Sequence, residues 1–219
     1  MADLSTEERA KKRRDELTDA ALRVLVSRGM GGFSSRAIAR EAGVNPAMIH
    51  YSFDSMEQLV GAVVDKCVRE TQQVLSRARV EQMTLPCALE CLAFAYWRYV
   101  VENPERLRVQ YELTMHALTS GNSALAQAQY DGYVDVTANK LACTCALSPQ
   151  SLRIIAGACV GMVDGLTLQL LTTNDHDRCE RSLLLSVRFF QELLRDNEPV
   201  SDDYISSLTN LNTWTREAL

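Results

Sequence analysis

The chain has 219 residues, 47% of them hydrophobic, and a formal net charge of −5. That much apolar material fills the core of one large domain, or of a small domain joined to a larger one, so the chain reads as a folded, soluble protein. No run of 18 apolar residues occurs, and the opening stretch MADLSTEERAKKRRDE is charged with no apolar segment behind it, so no membrane span and no secretory signal are expected and the expected location is cytoplasmic.

Charge is unevenly placed. Residues 1–53 hold nine Lys and Arg against seven Asp and Glu, a balance of +2, whereas residues 54–219 hold 14 against 21, a balance of −7. The run Lys11-Lys12-Arg13-Arg14 lies in the basic part and reads as a solvated helix face or one that meets phosphates. Seven cysteines, at 67, 87, 91, 143, 145, 159 and 179, are odd in number and scattered through helical segments, unlike a disulfide framework. Reduced, mostly buried thiols are expected. The Cys143-x-Cys145 pair lies far in sequence from the three histidines and no second close pair supports it, so neither a metal nor a cofactor is expected.

Leu17, Ala20, Ala21, Val24 and Leu25 recur at helical spacing and predict a first helix from about Thr6 to Arg28, stopped by Gly29. Ser34 is a good N-cap for a short second helix with Ile38 and Ala39 inward, and Gly43 ends it where a left-handed residue is needed. Asn45-Pro46 restarts the chain with Pro at the first helical position, a device repeated at Asn103-Pro104 and Ser148-Pro149. Further helices are predicted at about 55–80, 86–101, 104–119, 122–146, 149–172 and 178–196, about nine in all. In the tail, Tyr204, Leu208, Leu211 and Trp214 have the spacing of a short amphipathic helix. Strand signals are lacking, so the expected fold is all-α.

Three helices, the second and third short and joined by a Gly-containing turn on a basic segment, have the layout of a helix-turn-helix. With Val44, Ile49 and Phe53 turned to the first helix, the stretch VNPAMIHYSF presents Asn45, Pro46, Ala47, Met48, His50 and Tyr51 on its other side. Such a mixture of donors and small apolar groups suits base edges, thymine methyls and phosphates. A tight helical corner with idle exposed residues has the same geometry.

Residues 34–59, SSRAIAREAGVNPAMIHYSFDSMEQL, resemble the DNA-binding signature of TetR-family transcriptional regulators. Ser34, Ile38, Ala39, Ala42, Gly43, Val44, Phe53, Ser55, Glu57 and Leu59 carry the likeness. His50 stands where the family usually has Tyr, and Met56 where it usually has Lys. The resemblance implies an N-terminal helix-turn-helix domain, residues 1–53, followed by a larger helical ligand-binding and dimerisation domain, residues 54–219. It implies double-stranded DNA as partner, with Ser34, Arg36, Asn45, Pro46, Ala47, Met48, His50 and Tyr51 as the contacting residues. Arg36, Lys11, Lys12 and the helix N-termini are the groups that offset the missing Lys.

In the larger part, Phe94, Tyr96, Trp97 and Tyr99 crowd one helix, Tyr111, Met115 and His116 the next, and Tyr130 and Tyr133 the one after. Polar-tipped aromatics suit a pocket for a small, partly apolar effector, and Phe94, Trp97, Tyr111, Met115, His116, Tyr133 and Met162 are the candidate ligand-binding residues. Gly157, Gly161 and Gly165 are spaced four apart, and each weakens a helix by about 1 kcal/mol relative to Ala, so a close backbone approach is expected there. The family resemblance places that approach in a homodimer interface built from Gly157, Gly161, Gly165, Leu184, Val187 and Phe190; packing within one subunit, against Trp97 or Tyr111, is the alternative.

The expected function is that of a homodimeric, ligand-responsive DNA-binding regulator, a repressor released from a palindromic operator by a small organic molecule, with no membrane partner. A regulator switching through Cys143 and Cys145 is one alternative. A helical-bundle enzyme is another, although no metal-ligand pair, phosphate loop or nucleophile motif is present and no enzyme activity is expected.

Overall fold

The computed structural model describes residues 5–195 and 200–209, and within them all regular structure is helical. The helices are α1 Thr6–Arg28, α2 Ser35–Ala42, α3 Ala47–Ser52, α4 Met56–Ser76, α5 Leu85–Glu102, α6 Pro104–Thr119, α7 Ser123–Leu141, α8 Pro149–Thr173, α9 His176–Arg195 and α10 Asp202–Leu208. A single 3₁₀ turn, Met30–Gly32, follows α1.

Local chemistry sets most of these ends. At the start of α1 the Glu8 N–H donates to the Ser5 hydroxyl while the Glu8 carboxylate accepts the Ser5 N–H at 2.8 Å, a reciprocal cap. Ser34 accepts the Ala37 N–H at the start of α2. Gly43, at φ +67, closes α2: its N–H donates to Arg40 and the Val44 N–H donates back to Ala39 at 2.9 Å, the paired bonds of a Schellman end. A side chain at Gly43 would cost roughly 1 kcal/mol or more in that left-handed conformation. Asn45 Oδ1 accepts the Ala47 N–H at 2.9 Å and Pro46 already has helical dihedrals, so α3 starts as the Asn-Pro pair predicts. Ser148 caps α8 in the same manner by accepting the Ser151 N–H, whereas the Asn103 side chain makes no cap bond ahead of Pro104.

Several boundaries differ from expectation. α4 ends at Ser76 and α7 at Leu141, four or five residues early, because Val80 and Leu147 leave the helical path to be buried. In α10, Ile205 is buried, and Tyr204 donates its hydroxyl to the Leu193 carbonyl at 2.6 Å. Leu211, Trp214 and Pro199 lie outside the described residues.

The chain packs as two compact units, residues 1–70 with 103–131 and residues 71–102 with 132–219. In the first, Leu17, Ala21 and Leu25 of α1, Ile38 of α2, Ile49 of α3, Phe53, Leu59 and Val63 of α4 and Leu113 of α6 form one core. In the second, α5, α8 and α9 pack together around Leu89, Trp97, Ile155, Val163, Leu183 and Val187. By length and composition α8 is apolar enough to cross a membrane, with a mean hydropathy of 1.8 over 18 residues. Here one side of it, with Leu152, Ala156, Val163 and Leu170, is packed into the second unit.

Candidate nucleic-acid interface and ligand cavity

In the first unit α3 is held from behind. Ile49 and Phe53 are buried, and Val44 and Met56 pack part-exposed on the same core, so Met56 spends its apolar chain on packing where the family resemblance expects a charge. Arg14 completes the hold: its guanidinium lies over the Phe53 ring, 4.2 Å from the centroid, and donates to the Ser52 carbonyl at the end of α3. Sequence reasoning placed Arg14 in a solvated basic run. The signal was available, because position 14 continues the inward stripe of Leu17, Ala21 and Leu25 by one turn toward the N-terminus.

The other side of α3 is open. Asn45, Pro46, Ala47 and His50 are exposed, Tyr51 is 85% exposed, and Met48 is half-buried. Ser34 and Arg36 are exposed at the start of α2. The Ser34 hydroxyl and Asn45 Oδ1 are each committed to a cap, so Asn45 presents its amide NH₂ outward as a donor. Of the basic side chains, Arg13 lies 3.8 Å from Glu16 and Arg23 pairs with Glu41 at 2.7 Å, whereas Lys11, Lys12, Arg36 and Arg40 are exposed.

A polar clamp ties α6 to the end of α1 within the same unit. Glu112 accepts the Met30 N–H at 3.1 Å, and Arg108 donates both to Glu112 and, at 2.8 Å, to the Val26 carbonyl. Gly29, at φ +63, leaves room for this: a Cβ there would meet the Glu112 carboxylate at 3.2 Å.

The second unit contains a narrow cavity whose non-atom space, mouth included, is about 440 Å³. Thr71 and Leu75 of α4, Leu92, Ala93 and Tyr96 of α5, Tyr133 and Thr137 of α7, and Cys159, Val160, Val163 and Asp164 of α8 line it. Of the seven candidate ligand residues only Tyr133 is among them. Tyr111, Met115 and His116 sit on α6, which packs with the helix-turn-helix in the other unit. Trp97 is buried core, Phe94 lines a separate open groove with Arg77 and Arg98, and half-buried Met162 does not reach the cavity wall. The aromatics of α5 and α7 lie on two of the helices that line this cavity, but helical phase turns Tyr96 inward and its neighbours elsewhere.

On α8 a Cβ at Gly157, Gly161 or Gly165 would meet nothing within 4 Å among the described residues, so the stripe is open there. Ile154 and Leu168 continue that open face, and Leu185, Phe189 and Leu193 are exposed along α9. Among the candidate interface residues Leu184 is exposed and Phe190 half-buried, but Val187 is buried inside the unit, one helical step from the exposed line. Cys143 is exposed and Cys145 half-buried in the turn after α7; among the described residues all cysteines are free thiols.

Residues 17–63 match the family model described as bacterial regulatory proteins, tetR family. Over those residues the chain is similar to the TetR family's DNA-binding domain. Its likeness to curated TetR-type proteins includes the nicotine-responsive transcriptional repressor HdnoR of Paenarthrobacter nicotinovorans, 24% identical over 72% of this chain and 82% of that one. The regulator BetI of Brucella anthropi is 41% identical over 30% of this chain and 34% of its own length. Among solved structures, the multidrug binding protein EbrR in complex with imidazole superposes with a TM-score of 0.63 at 24% identity, over 81% of this chain and 89% of that one. A transcriptional regulator from Rhodococcus sp. RHA1 superposes with a TM-score of 0.65 at 18% identity, over 80% and 94%. The match supports a DNA-binding transcriptional regulator with α2 and α3 as its helix-turn-helix, followed in the chain by a helical C-terminal part.

Proposed function

We propose that this regulator is a homodimeric repressor that leaves a palindromic operator when a small organic ligand occupies the cavity lined by α4, α5, α7 and α8. The observation that carries the DNA-binding half is α3 itself, anchored by Ile49, Phe53 and Arg14 and presenting exposed His50 and Tyr51. A helix of six residues reads few base pairs, so a second copy about 34–36 Å away, one turn of B-DNA, supplies the specificity. Residues 1–53 are the DNA-reading part. Residues 54–219 bind ligand and dimerise, through the open glycine face of α8 and the exposed apolar line of α9. The protein acts in the cytoplasm, where its DNA is, without a membrane partner.

The ligand half rests on the cavity and on the relatives: HdnoR is nicotine-responsive, and EbrR has been crystallised with imidazole, malachite green, ethidium and proflavin. The ligand acts only through a difference in its affinity for the DNA-competent and DNA-incompetent states, and by reciprocity operator DNA weakens ligand binding by the same factor. α4 carries the coupling, since Met56 and Leu59 at one end belong to the DNA-binding core and Thr71 and Leu75 at the other line the cavity.

Mobility shift with DNA from the region upstream of the protein's own gene tests the assignment. Wild-type protein retards that fragment, and the double variant His50→Ala, Tyr51→Ala remains a folded dimer that does not. A double variant that binds with wild-type selectivity overturns the role given to α3.

A further inference from the structure

We propose that the open groove between the end of α4 and α5 is a second ligand site, separate from the cavity, that takes an aromatic carboxylate: Arg77 and Arg98 hold the carboxylate, and the Phe94 ring and its apolar neighbours take the hydrocarbon body.

The groove encloses about 900 Å³ of non-atom space, mouth included, and shares no lining residue with the cavity. Phe94, Ala95 and Arg98 fall on one face of α5 at helical spacing, and Arg77 faces them from the residue after α4. Most cations of this unit are spoken for: Lys140 pairs with Glu81, Arg178 with Asp175 and Arg181 with Asp177. The guanidinium groups of Arg77 and Arg98 make neither an ion pair nor a hydrogen bond among the described residues. Even Glu102, the acid among the described lining residues and one turn along α5 from Arg98, is not paired with it. Two unneutralised guanidinium groups beside one concave surface repel a cation, and each presents the planar fork that fits a carboxylate. A single exposed ion pair is weak, so the charge alone retains no small anion. Val74, Ala78 and Ala95 beside the half-buried Phe94 ring add the apolar surface that a flat hydrocarbon body covers. Charge and apolar wall together select an amphipathic anion over either a neutral aromatic or a bare carboxylate.

Calorimetry on full-length protein without DNA tests this, in a Val163→Phe background that closes the cavity, or Ala93→Phe where the first fails to fold. The probes are 2-naphthoate, its neutral isostere 2-naphthamide, and acetate. Naphthoate binds roughly tenfold more tightly than naphthamide, acetate does not bind measurably, and added salt weakens naphthoate alone. Arg77→Gln with Arg98→Gln removes the preference for naphthoate and leaves naphthamide unchanged, whereas the corresponding Lys pair keeps part of it. Glu102→Gln tightens naphthoate severalfold. Ala95→Trp, or Val74→Trp where that fails to fold, fills the groove and abolishes binding of both aromatic probes. Equal affinity for naphthoate and naphthamide, naphthoate binding unmoved by the two Gln substitutions or by filling the groove, or no saturable naphthoate binding overturns the proposal. Naphthoate that binds wild-type protein but not the cavity-closed background lies in the cavity, which overturns the groove site and leaves the effector reading of the cavity standing.

Discussion

The Arg14 guanidinium sits 4.2 Å from the centroid of the Phe53 ring, and the same group donates to the Ser52 carbonyl, so one side chain from α1 holds the C-terminal end of α3. A cation at a helix C-terminus, a cation on an aromatic face and a charged hydrogen bond are each modest, and together they contribute about 1–2 kcal/mol. Arg14→Ala therefore lowers the Tm by roughly 2–8 °C. It also loosens the orientation of His50 and Tyr51, so operator affinity falls by more than the lost charge alone would give. Arg14→Lys keeps the charge but loses the planar fork and recovers only part of both. Operator affinity in Arg14→Ala equal to that of wild type, measured by fluorescence anisotropy, would show that α3 is positioned without it.

Glu112 performs a comparable task from α6. It accepts the Met30 N–H and the Arg108 guanidinium, and Arg108 in turn reaches the Val26 carbonyl. Glu112→Ala leaves the Met30 N–H without its acceptor and takes one of two carboxylate partners from Arg108, which keeps Glu105 at 3.0 Å, at a cost of about 1–3 kcal/mol in chemical denaturation. Gly29→Ala costs about 1–2 kcal/mol through its positive φ. Because its new methyl would crowd the Glu112 carboxylate at 3.2 Å, the cost is smaller in the Glu112→Ala background. Strict additivity of the two changes would count against the contact.

Much of the first unit is legible in sequence because its determinants are local. Ser34, Gly43 and the Asn45-Pro46 pair each specify a cap within three residues of themselves, and the helix-turn-helix follows from placing those caps in order. The cavity is different. Whether Phe94, Tyr96 or Trp97 faces it depends on how α5 is rotated against α8 and α9, and adjacent helical positions differ by 100°. Tyr111 and His116 read as pocket aromatics by composition, yet α6 is drawn into the first unit by Leu107, Val109 and Leu113 and by the Glu112 clamp.

At the start of α8, the Asp202 carboxylate accepts the Ser148 N–H at 3.0 and 3.3 Å. Hydrogen bonds from the Ser151 hydroxyl, then from the Ser148 hydroxyl and N–H, hold its carboxyl below the usual 3.8. The ionised form is thus favoured in the folded protein, and its contribution is complete above pH 3.8 and fades as the pH falls through the lowered value. Hydrogen exchange at residues 202–208 should accelerate on acidification in the wild type more than in Asp202→Asn, in which the bond is already weakened at neutral pH. Identical acid profiles in the two proteins would assign the docking of α10 to Ile205 and Tyr204 alone.

The glycine stripe and the α9 apolar line make separable predictions about assembly. A Cβ at Gly161 meets nothing within 4 Å among the described residues, so Gly161→Val should leave the fold of the protomer intact, and a residue with more favourable helix propensity even steadies α8 slightly. If two copies approach closely at this helix, as we propose, the same substitution wedges them apart. Phe189, 68% exposed, is the largest apolar side chain on the adjoining line, and Phe189→Glu places a charge where a second copy would bury a ring. Both variants should keep the wild-type helical spectrum and sediment as monomers at micromolar concentration, and both should lose operator affinity steeply because each half-site is then bound alone. Variants that remain dimeric place the interface elsewhere, whereas monomeric variants that retain wild-type operator affinity remove the need for a second half-site.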